Sequence, residues 1–139
     1  MDKRQINDVY ADMAHEIIDQ YGALEHLRDA DITIIYLSSS HAKKHGDKLV
    51  LGQCEKVAEK YKWGIPCDFT ITLFEPNIAG FSEDQIRILL FHELLHVGYD
   101  PENERLYVKP HDLEDFKLII DEFGTDWAKV DDVEQISEP

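Results

Sequence analysis

The stretch His92-Glu93-Leu94-Leu95-His96 holds two imidazoles and a carboxylate at a spacing that suits one metal ion. On an α-helix, residues four apart lie about 40° from each other and one turn apart. Both imidazoles can then reach one tetrahedral zinc. Glu93, about 100° round from His92, can address a water on that metal and take its proton. Chance supplies this pattern in roughly a few per cent of chains with this His and Glu content, so its surroundings matter. Ile86, Ile88, Leu89, Leu90, Phe91, Leu94, Leu95 and Val97 flank the motif on nearly every side. A helix apolar all round is a buried helix. Three ionisable groups clustered on a buried helix are costly without partners. A metal and its water would satisfy all three.

A catalytic zinc takes three protein ligands and keeps a position open for water. The spacing HExxHxxGxxH would need Gly at 99 and His at 102, where the chain has Tyr99 and Glu102. The third ligand must therefore come from elsewhere. His111 is the first choice, as the only histidine after the motif; the alternative is a surface residue at the start of a helix. Glu102, Glu104, Glu114 and Asp115 are weaker candidates. Asp112 reads first as a helix cap and second as a group that orients a ligand histidine. Tyr99, Arg105 and Tyr107 lie between the ligands, and any one could stabilise an oxyanion. Other histidines carry less. His15 in His15-Glu16-Ile17-Ile18-Asp19 nearly matches the motif but faces away from the apolar stripe of its helix. His41 and His45 sit four apart with two lysines beside them and no acid between. His26 has no signal.

The elements that must position these groups are legible in outline. Ile6, Val9, Tyr10, Met13, Ile17 and Tyr21 recur at helical steps, predicting a helix from about Arg4 to Tyr21 stopped by Gly22. Ile32 to Leu37 reads as a buried strand. Leu49-Val50-Leu51 suggests a second, with Gly52 as a possible bulge. Glu55 to Trp63 is strand or helix. Asp68 to Phe74 alternates, predicting a third strand with Phe69, Ile71 and Leu73 on one face. That strand is expected to form the edge of a small sheet above the motif helix. Ser82 and Gln85 form a capping box, and Phe81 with Ile86 a hydrophobic staple. The motif helix should run to about Val97, with Gly98 and Pro101 marking its end. A charged loop from Tyr99 to Pro110 follows. A last helix spans about Leu113 to Phe123, capped by Asp112 and closed by Gly124.

The chain has 139 residues and a net charge of −15. Its length fits one domain with a hydrophobic core. One domain is expected over residues 1–130, with an acidic tail at 131–139 that frays. The acidity argues against nucleic acid or an anionic membrane as partner, because binding phosphate needs a basic surface. No segment is long and apolar enough to span a bilayer, and the N-terminus has no signal-peptide core. Cys54 and Cys67 lack CxxC spacing and read as reduced thiols of a cytoplasmic protein.

Together these stretches resemble the putative phage metallopeptidases, small zincin-like domains of phages and prophages. The matching segments are Cys67 to Leu73, Gln85 to His96 and Lys109 to Phe116, with Gly124 and Trp127 fitting the closing pattern. The likeness covers roughly residues 5–128. It implies an α+β zincin-like fold, with a small mixed sheet packed on the motif helix between N- and C-terminal helices. It implies Zn2+ as cofactor, His92, His96 and His111 as its ligands, and Glu93 as the catalytic group. It implies a setting inside the bacterial cell and names no substrate. A more distant similarity is to SprT-like zinc proteases, although the chain lacks their Cys-rich ribbon. The expected activity is hydrolysis of a peptide or protein substrate. The alternatives are hydrolysis of a non-peptide amide, or a binding module that zinc only staples.

Overall fold

The computed structural model describes residues 4–110 and Phe123. Among these residues the chain is a mixed α+β fold with three α-helices and small sheets. β1 (Arg4–Ile6) leads into α1 (Asp8–Gln20), and a short α2 (Glu25–Asp29) precedes β2 (Ile34–Ser39). β3 (Lys44–His45) and β4 (Lys48–Leu49) make a small hairpin before β5 (Gly52–Lys56). β6 (Phe69–Phe74) and α3 (Glu83–Leu94) follow, and β7 (Val97–Asp100) pairs with β8 (Arg105–Val108).

The main sheet has the order β1-β2-β6-β5. β2 and β6 run parallel, while β1 and β5 pair antiparallel at the two edges. The strand expected at the edge is therefore the inner one. β6 is buried along almost its whole length, which suits a strand paired on both sides. The edge nearest α3 is instead β5, displaced from the expected Leu49–Leu51. Leu51 is buried just ahead of it, and Glu59–Tyr61 beyond it form a 3-10 turn.

Phe69, Ile71 and Leu73 do share one face of β6, and all three are buried in the core beneath α1 and α3. Tyr36 joins them from β2, opposite Ile71. Tyr10, Met13 and Ile17 of α1 and Leu89, Leu90, Phe91 and Leu94 of α3 close this layer. Arg87 of α3 reaches Glu16 of α1 at 2.7 Å, linking the two helices across their solvent side. Phe91 stacks on Tyr21, and Phe123 meets Phe91 edge-on.

The first helix is shorter than its periodicity implies. Asn7 caps it by accepting from the Tyr10 N–H at 3.0 Å, and the residues before Asn7 join the sheet. Ile6 and Val9, read as part of its apolar face, are exposed. Arg4 is held at the sheet by Glu55 and Thr72, and the pairing Ile6–Leu37 replaces the helical turn. The predicted last helix lies outside the described residues except at Phe123.

Candidate active site

The capping box of α3 forms as its sequence implies. Ser82 Oγ accepts from the Gln85 N–H, and Gln85 Oε1 accepts from the Ser82 N–H at 2.8 Å. The second half of the helix sinks into the core, so its polar residues arrive buried. His92 and Glu93 are 4% and 3% exposed.

The helix ends at Leu94, three residues before its expected end. Leu95 still makes an α-helical bond to the Phe91 carbonyl, but the His96 N–H turns back to Glu93 in a tighter, 3-10-like turn. His96 therefore remains one turn beyond His92, while Val97 is released to start β7. The His92 and His96 rings are 5.2 Å apart between centroids, inclined at 67°. Two imidazoles each bound at about 2.1 Å to one tetrahedral ion would have centroids about 5 Å apart. The observed ring separation matches that value.

The charged segment after the helix is a hairpin, not a loop. Its turn is built by Asp100, which accepts from the Glu102 N–H and from Asn103 Nδ2, with Glu104 in the left-handed region at φ 51°. Next to the motif, β8 gives way to Lys109, whose N–H donates to the His96 carbonyl at 2.6 Å. The Lys109 carbonyl accepts in return from His96 Nδ1, also at 2.6 Å. A carbonyl can only accept, so in the neutral ring Nδ1 carries the proton and Nε2 the lone pair that a metal ligand needs.

With His96 and Lys109 hydrogen-bonded, the neighbouring pair Val97–Val108 is a non-hydrogen-bonded one. The Val97 carbonyl points away from β8, and His26 Nε2 on α2 donates to it at 2.7 Å. The segment carrying His96 is thus held from two sides. Both contacts escaped sequence reasoning. Lys109 acts through its backbone, which leaves no side-chain signal, and His26 is far from the motif in sequence.

Glu93 lies against the edge strand. A Cβ placed on Gly52 of β5 would stand 3.1 Å from Glu93 Oε2 and 2.9 Å from Leu73 Cδ2. Gly52 is no bulge: it pairs with Leu73 in regular register, and its missing side chain makes room for the carboxylate. Cys54, two residues on, lies on the same face. Burial first, then the Glu93 and Glu55 carboxylates, push its thiol far above the ordinary range.

The His92 and His96 rings are thus brought together, Glu93 sets its carboxylate against Gly52, and His111, Asp112, Glu114 and Asp115 lie outside the described residues. Glu102 and Glu104 are not gathered. They sit exposed at the far turn of the hairpin, and no group of three His, Cys, Asp or Glu residues suited to a metal forms among the described residues. Of the residues considered for an oxyanion, Tyr107 lays its ring over Gly98, where an added Cβ would come within 2.5 Å of it. Tyr99 is half-buried and Arg105 exposed on the same hairpin. His15 is exposed on α1, as its position off the apolar stripe implies, and His41 and His45 are exposed about the small hairpin. No helix among the described residues is long and apolar enough to cross a membrane.

The chain belongs to the putative phage metallopeptidase family, whose model matches residues 4–137, nearly the whole chain. No curated protein and no solved structure matches it.

Proposed function

We propose that this chain is a zinc-dependent peptidase of zincin type, with His92, His96 and His111 as metal ligands and Glu93 as general base. The observation that carries the proposal is the burial of His92 and Glu93 with the rings of His92 and His96 5.2 Å apart. Family membership supports the activity and a metal. His111 enters by its place in the sequence, two residues after the Lys109 that grips His96. Zinc is the metal such a donor set favours, through borderline imidazole ligands. When bound, it would polarise the scissile carbonyl and acidify the attacking water.

The chain's own groups do the rest. Lys109 fixes the His96 tautomer, and His26 fixes the backbone beyond it. Glu93, packed at Gly52, takes the proton of the attacking water and delivers it to the leaving amine. β5 is an edge strand of the main sheet among the described residues and runs past Glu93. A peptide bound in extended form beside β5 and the β7–β8 hairpin that packs near it would lie close to Glu93. On this reading residues 1–130 form one domain, working inside the bacterial cell without nucleic acid or membrane.

The test is a peptide-library digest with wild-type and Glu93→Gln proteins, with metal analysis of each. Cleavage by the wild type, lost on chelation and lost by at least about a hundredfold in Glu93→Gln, is expected. Equal cleavage by Glu93→Gln would sink the mechanism. Zinc retained with no hydrolysis of any peptide would favour the zinc-stapled module.

A further inference from the structure

Between β2 and β5 the chain folds into a small hairpin, residues 41–50. Its arms are β3 and β4, paired Lys44–Leu49 and His45–Lys48, and Gly46 at φ 64° turns the chain between them. The hairpin carries Lys43, Lys44 and Lys48 against a single carboxylate, Asp47. Lys44 and Lys48 are exposed. Lys43 is held by neutral groups, Gln53 Oε1 at 2.7 Å and the Phe74 ring at 5.6 Å. Two carboxylates on or beside the neighbouring strands are engaged elsewhere, Glu55 by Arg4 at 3.0 Å and Glu75 by the Tyr10 hydroxyl at 2.7 Å. The hairpin is thus a basic projection on a chain of net charge −15. It is also fixed in place. The Val50 N–H donates to the Lys43 carbonyl at 3.0 Å, and the buried Asn77 donates to the carbonyls of both Lys43 and Val50. A surface held in this way loses little ordering entropy when something docks on it.

The hairpin leads into the Glu93 end of β5. The Phe74 N–H donates to the Leu51 carbonyl at 3.0 Å, and Gly52 then pairs with Leu73 and leaves the space that Glu93 fills. Lys48 stands four residues before Gly52. Four residues span at most about 14 Å. An extended peptide advances about 3.3 Å per residue, so a side chain about four residues from a bond held at Glu93 falls within reach of the hairpin.

The chain as a whole repels an acidic polypeptide, so a preference for one has to come from a local surface of opposite sign. Exposed charges interact little beyond a Debye length, about 10 Å at 0.1 M salt, so such a surface acts on the part of a bound substrate beside it. Nucleic acid would bring a continuous row of phosphates against the acidic remainder of the chain. We propose that the hairpin is a specificity surface that recognises an acidic side chain of the polypeptide substrate, about four residues from the bond that is cut. This rests on the peptidase reading above and sets its substrate class.

The test uses two peptides of about sixteen residues, labelled with a neutral dye, that share a Leu, Phe and Ser background and carry several Glu or several Gln. Binding to the Glu93→Gln protein is read by anisotropy, and cleavage by the active protein as kcat/KM. At low salt the Glu peptide is expected to bind about threefold to tenfold tighter and to gain the same factor in kcat/KM through KM. The difference should shrink at about 0.5 M salt. Lys44→Glu with Lys48→Glu should reverse the preference. Lys56→Glu with Lys60→Glu makes the same change of net charge away from the hairpin and should keep it. Where the reversed variant fails to fold in urea titration, Lys44→Gln with Lys48→Gln takes its place and should level the two peptides. Equal binding of both peptides by the wild-type hairpin, or a preference that the Lys56 and Lys60 pair also abolishes, would overturn the hairpin's role and spare a peptidase that cuts both. Preferential binding with no cleavage of either would keep the acidic-peptide site and sink the peptidase. Tighter binding of a labelled single-stranded oligonucleotide than of the Glu peptide, lost in the Lys44 and Lys48 variant, would assign the lysines to nucleic acid and overturn the proposal.

Discussion

Gly52→Ala tests the contact between the edge strand and the Glu93 carboxylate. The new methyl carbon would stand 2.9 Å from Leu73 Cδ2, 3.1 Å from Glu93 Oε2 and 3.3 Å from Glu93 Cδ. Carbon atoms settle at about 3.5–4.0 Å, so the Leu73 contact falls short by about 0.6 Å or more. Leu73 is fully buried and has little room to turn away. Overpacking of this kind costs about 1–3 kcal/mol. Glu93 must also retreat by a few tenths of an ångström. Misplacing a catalytic group by about 1 Å can cost about a hundredfold in rate, so a loss of about tenfold in kcat/KM is expected here. Urea unfolding measures the first effect and peptide cleavage the second. Gly22→Ala is the control, because nothing lies within 4 Å of its added carbon. It should stay within about 0.5 kcal/mol of wild type with full activity. If Gly52→Ala behaved like Gly22→Ala in both assays, the carboxylate would not be seated against β5.

Other changes probe the supports of the site. Gly98→Ala should destabilise by about 1–3 kcal/mol by evicting the Tyr107 ring, and adding Tyr107→Ala should recover part of that loss in a double-mutant cycle. Asn77 is buried and donates to the Lys43 and Val50 carbonyls at 2.9 and 2.8 Å, so Asn77→Leu should cost about 1–3 kcal/mol in chemical unfolding. Asn77→Asp, with no N–H to donate, should do no better. Burial alone would raise the Asp68 carboxyl, but Lys62 and the Thr33 donors outweigh it and hold the group below the usual carboxylate range. Its stabilising effect is therefore complete above the unfolded-state value, about 3.9, and is lost as pH falls through the lower folded value. Acid unfolding of Asp68→Asn should lack that component; identical acid limbs would refute the pairing.

Much of the frame was readable along the chain because it depends on local chemistry. Ser82 and Gln85 carry their own hydrogen bonds, so the start of α3 was visible without the rest of the fold. The alternation of Phe69, Ile71 and Leu73 gave β6 its buried face. Other features depended on partners distant in sequence. The helical period of Ile6 and Val9 ran on past Asn7, yet pairing with β2 turned Arg4–Ile6 into a strand. Asp100, Glu102, Glu104 and Arg105 read as a charged loop, yet Tyr99 and Leu106 close a hairpin across them. β6 looked like an edge because a single sequence does not say which strands will flank it.

For the candidate site, the sequence alone pointed to its members. His92, Glu93 and His96 share a helical sector at a spacing set by local backbone geometry, and the apolar residues around them implied burial. The tertiary structure decided how those groups are held. It ended the helix at Leu94, set Lys109 against His96, brought His26 to Val97 and laid Glu93 in the space that Gly52 leaves open. Each of these is a contact between segments far apart in the chain, and no local pattern encodes it.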